Sequence, residues 1–202
     1  MSVAAAQGDV RRVYAGGFYG QLVSAGVWLS AAAVATWGST GGAVAVLFLG
    51  GTLIFPLTSL IIHLTGRPAS LPTGHPMAAL GMQIAFTVPI GLVVVLAMLG
   101  GRSELFFPAS MVIVGAHYLP FAFLYGMRVF VCLSIALVAP GLVLLLWVPA
   151  PVSFGGWFTG AVLLGFAFLL RHTAASMHHP APTPTPLDRH TTPERNAVHV
   201  HP

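Results

Sequence analysis

MAALGMQIAFTVPIGLVVVLAML, residues 77–99, contains no charged side chain, and its apolar residues fall on every side of a helix. About 20 such residues are needed to cross a hydrocarbon core of roughly 30 Å as a helix. Membrane β-strands would instead show about ten-residue alternation of apolar and polar side chains. Outward from this segment, the same ruler predicts spans at 17–37, 43–64, 108–127, 129–148 and 154–170. With 77–99 they make an all-α, polytopic transmembrane bundle of six helices. Composition supports the reading. Charged residues are 6% of the 202, hydrophobic residues 56%, and mean hydropathy is +0.89. Soluble domains carry about a quarter charged residues.

The first span reads as a retained helix, because it is longer than a signal h-region and five more spans follow. Arginine then sets the orientation. With six spans, Arg11, Arg12, Arg67, Arg128 and Arg171 fall close to the membrane on one side, and Arg102 alone on the other, beside Glu104. The positive-inside rule places the richer side, with both termini, in the cytoplasm. The expected location is the inner membrane. A pI near 10.0 is therefore a topology signal, suited to anionic lipid headgroups. Arginines scattered over several loops form no nucleic-acid stripe. The lone Cys132 reads as a small buried hydrophobe.

Outside the spans, 1–16 is a short amphipathic lead. The segment 172–202 is rich in Pro, Thr and His and is expected to be disordered. Small residues, among them Gly16, Gly20, Ser24, Gly156 and Gly160, suit close helix contact in lipid. Pro56, Pro89, Pro120 and Pro140 interrupt four spans and are expected to kink them. Thr58, Ser59 and Thr87 stand close enough to rescue the freed carbonyls. The tryptophans (Trp28, Trp37, Trp147, Trp157) and Tyr14, Tyr19 and Tyr125 fit belts at the two interfaces.

Polar groups inside spans are costly, so they mark function or a specific contact. His117 lies roughly 14 Å into the fourth span at about 1.5 Å per residue. Gln21, Gln83, Thr87, Tyr118, Tyr125 and Arg128 occupy the same half of the bundle. Together they are the candidate polar pocket. His63, Arg67 and His75 form a candidate cytoplasmic loop cluster around 65–76. Paired histidines at matching depth for haem are missing, as are HExxH, GxxxxGK[ST] and GxSxG motifs. No cofactor, metal or catalytic residue is expected.

DVRRVYAGGFYGQLVSAGVWL (9–29), LFLGGTLIFPL (47–57), LTGRPASLPTGHPMAALGMQ (64–83) and FFPASMVIVGAHYLPFAFLYGMRVF (106–130) resemble an uncharacterised family of small bacterial multi-pass integral membrane proteins. The resemblance covers most of 9–148, and HYLPFAFLYGMRVF is its most specific element. It implies one membrane domain and a bacterial source, and it brings no activity, ligand or site residue. The expected function is transporter-like or small-ligand-binding. The alternatives are a structural or regulatory membrane subunit and a membrane enzyme acting on lipid or quinone. Expected partners are the lipid bilayer and either a second copy or another membrane subunit, with no nucleic acid.

Overall fold

The computed structural model describes residues 1–177. Its α-helices are α1 (Val3–Val13), α2 (Phe18–Trp37), α3 (Thr40–Leu64), α4 (Pro76–Met98), α5 (Phe106–His117), α6 (Leu119–Tyr125), α7 (Val129–Leu146) and α8 (Phe154–Ser176). Short 3-10 turns cover Ala15–Gly17 and Ser103–Leu105, and no strand occurs among the described residues. Six stretches are long and apolar enough to cross a membrane, with α5 and α6 sharing the one at Ser103–Tyr125. The chain is a multi-pass membrane protein.

Local chemistry sets the helix ends. Ser2 opens α1 by accepting from the Ala5 N–H at 3.3 Å, and Ser39 opens α3 by accepting from Gly42 at 3.1 Å. Each oxygen satisfies a first-turn donor that has no partner within its helix. His75 does the same for α4, its Nδ1 accepting from the Met77 N–H at 3.2 Å. Pro120 divides the fourth span. It has no N–H for the carbonyl one turn back, and the chain tightens there through Tyr118 N–H to Gly115 O at 3.1 Å. Pro56, Pro89 and Pro140 instead sit within unbroken helices. Thr87 does not rescue the Ala85 carbonyl that Pro89 frees, because its hydroxyl donates to Ile84 O at 2.7 Å.

Small residues bring α2 and α8 together. A Cβ on Gly156 would lie 2.9 Å from the Ala32 side chain, and one on Gly160 would lie 2.6 Å from Leu29. On the other side of α2 runs α3. The helices α5 and α7 pair around Met111, Leu133 and Leu137, all fully buried, and α4 lies outside α5. Only 11% of the membrane window of α3 and 17% of that of α4 is buried, against 44% for α5 with α6. Thus α3 and α4 are wings on a core of α2, α5, α7 and α8.

Three local findings differ from the sequence reading. First, α8 runs to Ser176 instead of stopping at 170, because Arg171 and His172 continue the helix past the apolar run. The expected disordered tail otherwise lies at 178–202, outside the described residues. Second, Trp28 is 2% exposed and packs on Phe107 at 5.9 Å, so it belongs to the core and not to a belt. Trp37 and Trp157 do meet near the far end, 5.9 Å apart. Third, Cys132 is exposed on the outer surface of α7.

Candidate functional site

The amphipathic lead is α1, and its apolar stripe of Ala6, Val10 and Val13 is buried. A three-residue turn, Ala15–Gly17, has positive φ throughout and folds α1 back across the end of the bundle. Gly16 meets two demands there. Its φ is +66°, and a Cβ would lie 2.5 Å from the Ala174 side chain of α8. A left-handed conformation costs most residues about 1–2 kcal/mol.

Polar contacts then fix α1 in place. The last-turn carbonyls of a helix lack intrahelical partners, and α1 uses two of those of α6. Gln7 Nε2 donates to Phe123 O at 2.6 Å, and Arg11 Nη1 donates to Tyr125 O at 2.5 Å. Asp9 lies 2.9 Å from Arg12 and 3.6 Å from His75 Nε2. Since His75 Nδ1 accepts from Met77, the remaining ring nitrogen carries the proton that faces Asp9. The 65–75 loop closes the other flank, with Arg67 Nη2 donating to Arg12 O at 2.8 Å. Burial pushes the Tyr14 phenol above its ordinary value, partly offset by a backbone hydrogen bond from Leu71. Its contribution to α1 docking is therefore complete below about pH 10 and is lost as pH climbs through the raised value.

Beneath this cover lies a buried polar pair. The Tyr118 hydroxyl donates to Gln21 Oε1 at 3.2 Å, with Ser24 also buried on α2. Thr58 of α3 packs beside Gly20, and its buried hydroxyl has no partner among the described residues. Tyr125 is buried against the Phe130 ring at 4.9 Å and meets α1 through its carbonyl.

His117 goes elsewhere. Thr87 spends its only proton on Ile84 O, so the 3.0 Å contact between Thr87 Oγ1 and His117 Nδ1 requires the histidine to donate. That pair occupies the outer seam between α4 and α5, where Thr87 is exposed and His117 half-buried. His117 and Tyr118 are consecutive at the break above Pro120, and their side chains serve different seams. The candidate pocket therefore resolves into two pairs, Gln21 with Tyr118 and Thr87 with His117.

Three candidates stand apart. Gln83 is exposed on the outer face of α4, because Ile84, Leu92 and Val95 form the inward stripe and Gln83 is about 100° away from Ile84 around the helix. Arg128 is exposed ahead of α7, and His63 is exposed at the end of α3. Of the loop cluster, Arg67 and His75 do converge, both on α1. Sequence reasoning missed Gln7 and Asp9 as anchors. The available signal was an amphipathic segment ending at Gly16-Gly17.

A family model described as a family of unknown function, DUF7010, matches residues 3–173. The chain belongs to that family. The DUF7010 match begins at the first residue of α1 and ends within the last turns of α8, so the folded-back helix is part of the family's unit. No curated protein and no solved structure matches the chain.

The two polar pairs differ in what they hold. Tyr118→Phe removes the donor to a buried amide and should cost about 1 kcal/mol. Thr87→Val, at an exposed seam, should cost no more than about half that. Unfolding of each variant in a bilayer, by steric trapping, compares the two. Equal losses would mean that the buried pair carries no special weight.

Proposed function

We propose that this DUF7010 protein is a non-enzymatic, transporter-like or small-ligand-binding membrane protein. Its ligand enters at the end of the bundle covered by α1, and that end faces the cytoplasm. The observation that carries the reading is the cover itself. A chain with 6% charged residues commits Arg11 and Arg67, with Asp9 facing His75, to holding one amphipathic helix over one end of the bundle. The turn, α1, α2 and α8 leave a cleft of about 290 Å³ at its margin, close to the lower bound of small-molecule sites. Gln21, Ser24, Thr58 and Tyr118 lie deeper in the same half.

Native mass spectrometry of the gently solubilised full chain tests this reading. A retained small molecule of constant mass is the expected result, and a bare chain in every preparation would refute it. Orientation is tested separately. A cysteine replacing the exposed His63, in a Cys132→Ser background, should react with an impermeant maleimide only in inverted vesicles.

A structural or regulatory subunit is the second reading, and α3 favours it. That helix leaves most of its surface open to lipid or to another chain, with Leu53 51% and Phe55 55% exposed. Such a subunit would migrate as a defined oligomer in the same spectrum without a retained small molecule.

A further inference from the structure

Four arginines from three separate segments line the cleft beside α1: Arg11 and Arg12 at the end of α1, Arg67 after α3, and Arg171 on α8. They are half of the chain's eight cationic side chains. Positive-inside topology asks only for charge near the membrane, and Arg128 meets that need on the same end without entering the cleft. Convergence from three segments on one cleft goes beyond that need, and Arg171 takes no part in holding α1 through a hydrogen bond among the described residues.

Among the described residues their charges are poorly matched, and only Arg12 has a carboxylate partner, Asp9 at 2.9 Å. Among the described residues, Arg11, Arg67 and Arg171 have no carboxylate within 4.0 Å. Each is nonetheless positioned. Arg11 bonds Tyr125 O, Arg67 bonds Arg12 O, and the Arg171 guanidinium sits 5.0 Å over the Phe18 ring. The Arg11 Nε is buried without a hydrogen-bond partner among the described residues. Guanidinium groups offer a planar fork of donors that matches phosphate oxygens in pairs. Tyr19 adds a hydroxyl-bearing side chain to the lining. The cleft lies where α2 enters its membrane span.

We propose that this cleft binds the phosphate group of an anionic ligand, either a lipid headgroup or a soluble phosphate. The proposal rests on the reading of the α1 end as the ligand-entry end, and it names the ligand's chemistry. Recognition is by the forked donors of Arg67 and Arg171, with Arg11 and Arg12 supplying the charge on the α1 side. The cleft's size suits a phosphate with a small substituent.

The test uses delipidated full chain reconstituted in neutral phosphatidylcholine nanodiscs, with thermal unfolding as the readout. One arm titrates phosphatidylglycerol into the discs, and the other titrates inorganic phosphate into the buffer. At least one should raise the Tm saturably. A rise in the lipid arm alone identifies a headgroup, in the phosphate arm alone a soluble ligand, and in both arms recognition of the phosphate itself. Arg67→Gln with Arg171→Gln should weaken the effect about tenfold or more per arginine, while Arg128→Gln leaves it unchanged. If the double variant does not fold, Arg171→Gln alone serves, because its side-chain contact among the described residues is with the Phe18 ring.

No saturable rise with either probe overturns the proposal, as does an equal loss in Arg128→Gln. A cysteine at Ala6, 2% exposed in the docked helix, in a Cys132→Ser background, separates the two levels. If Ala6→Cys is protected from maleimide yet neither probe acts, only the phosphate assignment fails. If it reacts freely, α1 is not docked and the underlying reading fails with it.

Discussion

Gly160→Leu is expected to destabilise the bundle by about 3 kcal/mol or more, the upper range for inserting bulk into a packed contact. At that position even a Cβ would lie 2.6 Å from two side-chain atoms of Leu29 and 3.3 Å from its backbone nitrogen. The side chain of Leu29 can rotate, but its backbone cannot, so α2 and α8 must separate. In lipid that separation is serious, because close packing of small residues replaces the hydrophobic drive that water would supply. Gly165 is the control on the same helix, since nothing lies within 4 Å of a Cβ there. Gly165→Leu should change stability by no more than about 0.5 kcal/mol. Steric-trap unfolding in bilayers reads both. Equal losses would mean that the α2–α8 contact does not set the result, since helix propensity favours Leu over Gly at both positions.

Val10→Asp should release α1 from the bundle. Val10 is 0% exposed, and an unpaired carboxylate there would cost several kcal/mol or more to bury. A single docked valine contributes only about 1.5–3 kcal/mol. The helix therefore lifts off in preference to burying the charge. In an Ala6→Cys, Cys132→Ser background, maleimide labelling should rise from near zero to near completion. Val3→Asp is the control, since Val3 is 53% exposed, and labelling should stay low. Protection that persists in Val10→Asp would show that the contacts to α6 and His75 hold α1 without its apolar stripe.

The six spans were legible because apolar run length against bilayer thickness is a one-dimensional measure. Helix phase was not. In 77–99 apolar residues surround the helix, so nothing in the segment indicates that Ile84 faces inward and Gln83 outward. The same uniformity hid the divergence of His117 and Tyr118, which depends on how the break above Pro120 turns each ring. The helix α1 was visible as an amphipathic lead, yet its docking place was not, because the carbonyls it caps on α6 lie more than a hundred positions away in the chain. Arginine count indicated a topology. The convergence of four arginines on one cleft became visible only with the fold.

The neighbourhood of α2 and α8 also bears on how the protein is made. The second helix meets α3 almost as soon as both are synthesised, but its other partner, α8, follows only after α3 to α7 have been made. At ordinary elongation speed the wait is on the order of ten seconds. During it, the face of α2 that will receive Gly156 and Gly160 has only lipid or the insertion machinery to touch. Assembly is then sealed at a single late moment, when Ala174 settles against Gly16. A nascent chain arrested before that moment would be inserted but unfinished, and open to membrane quality-control proteases.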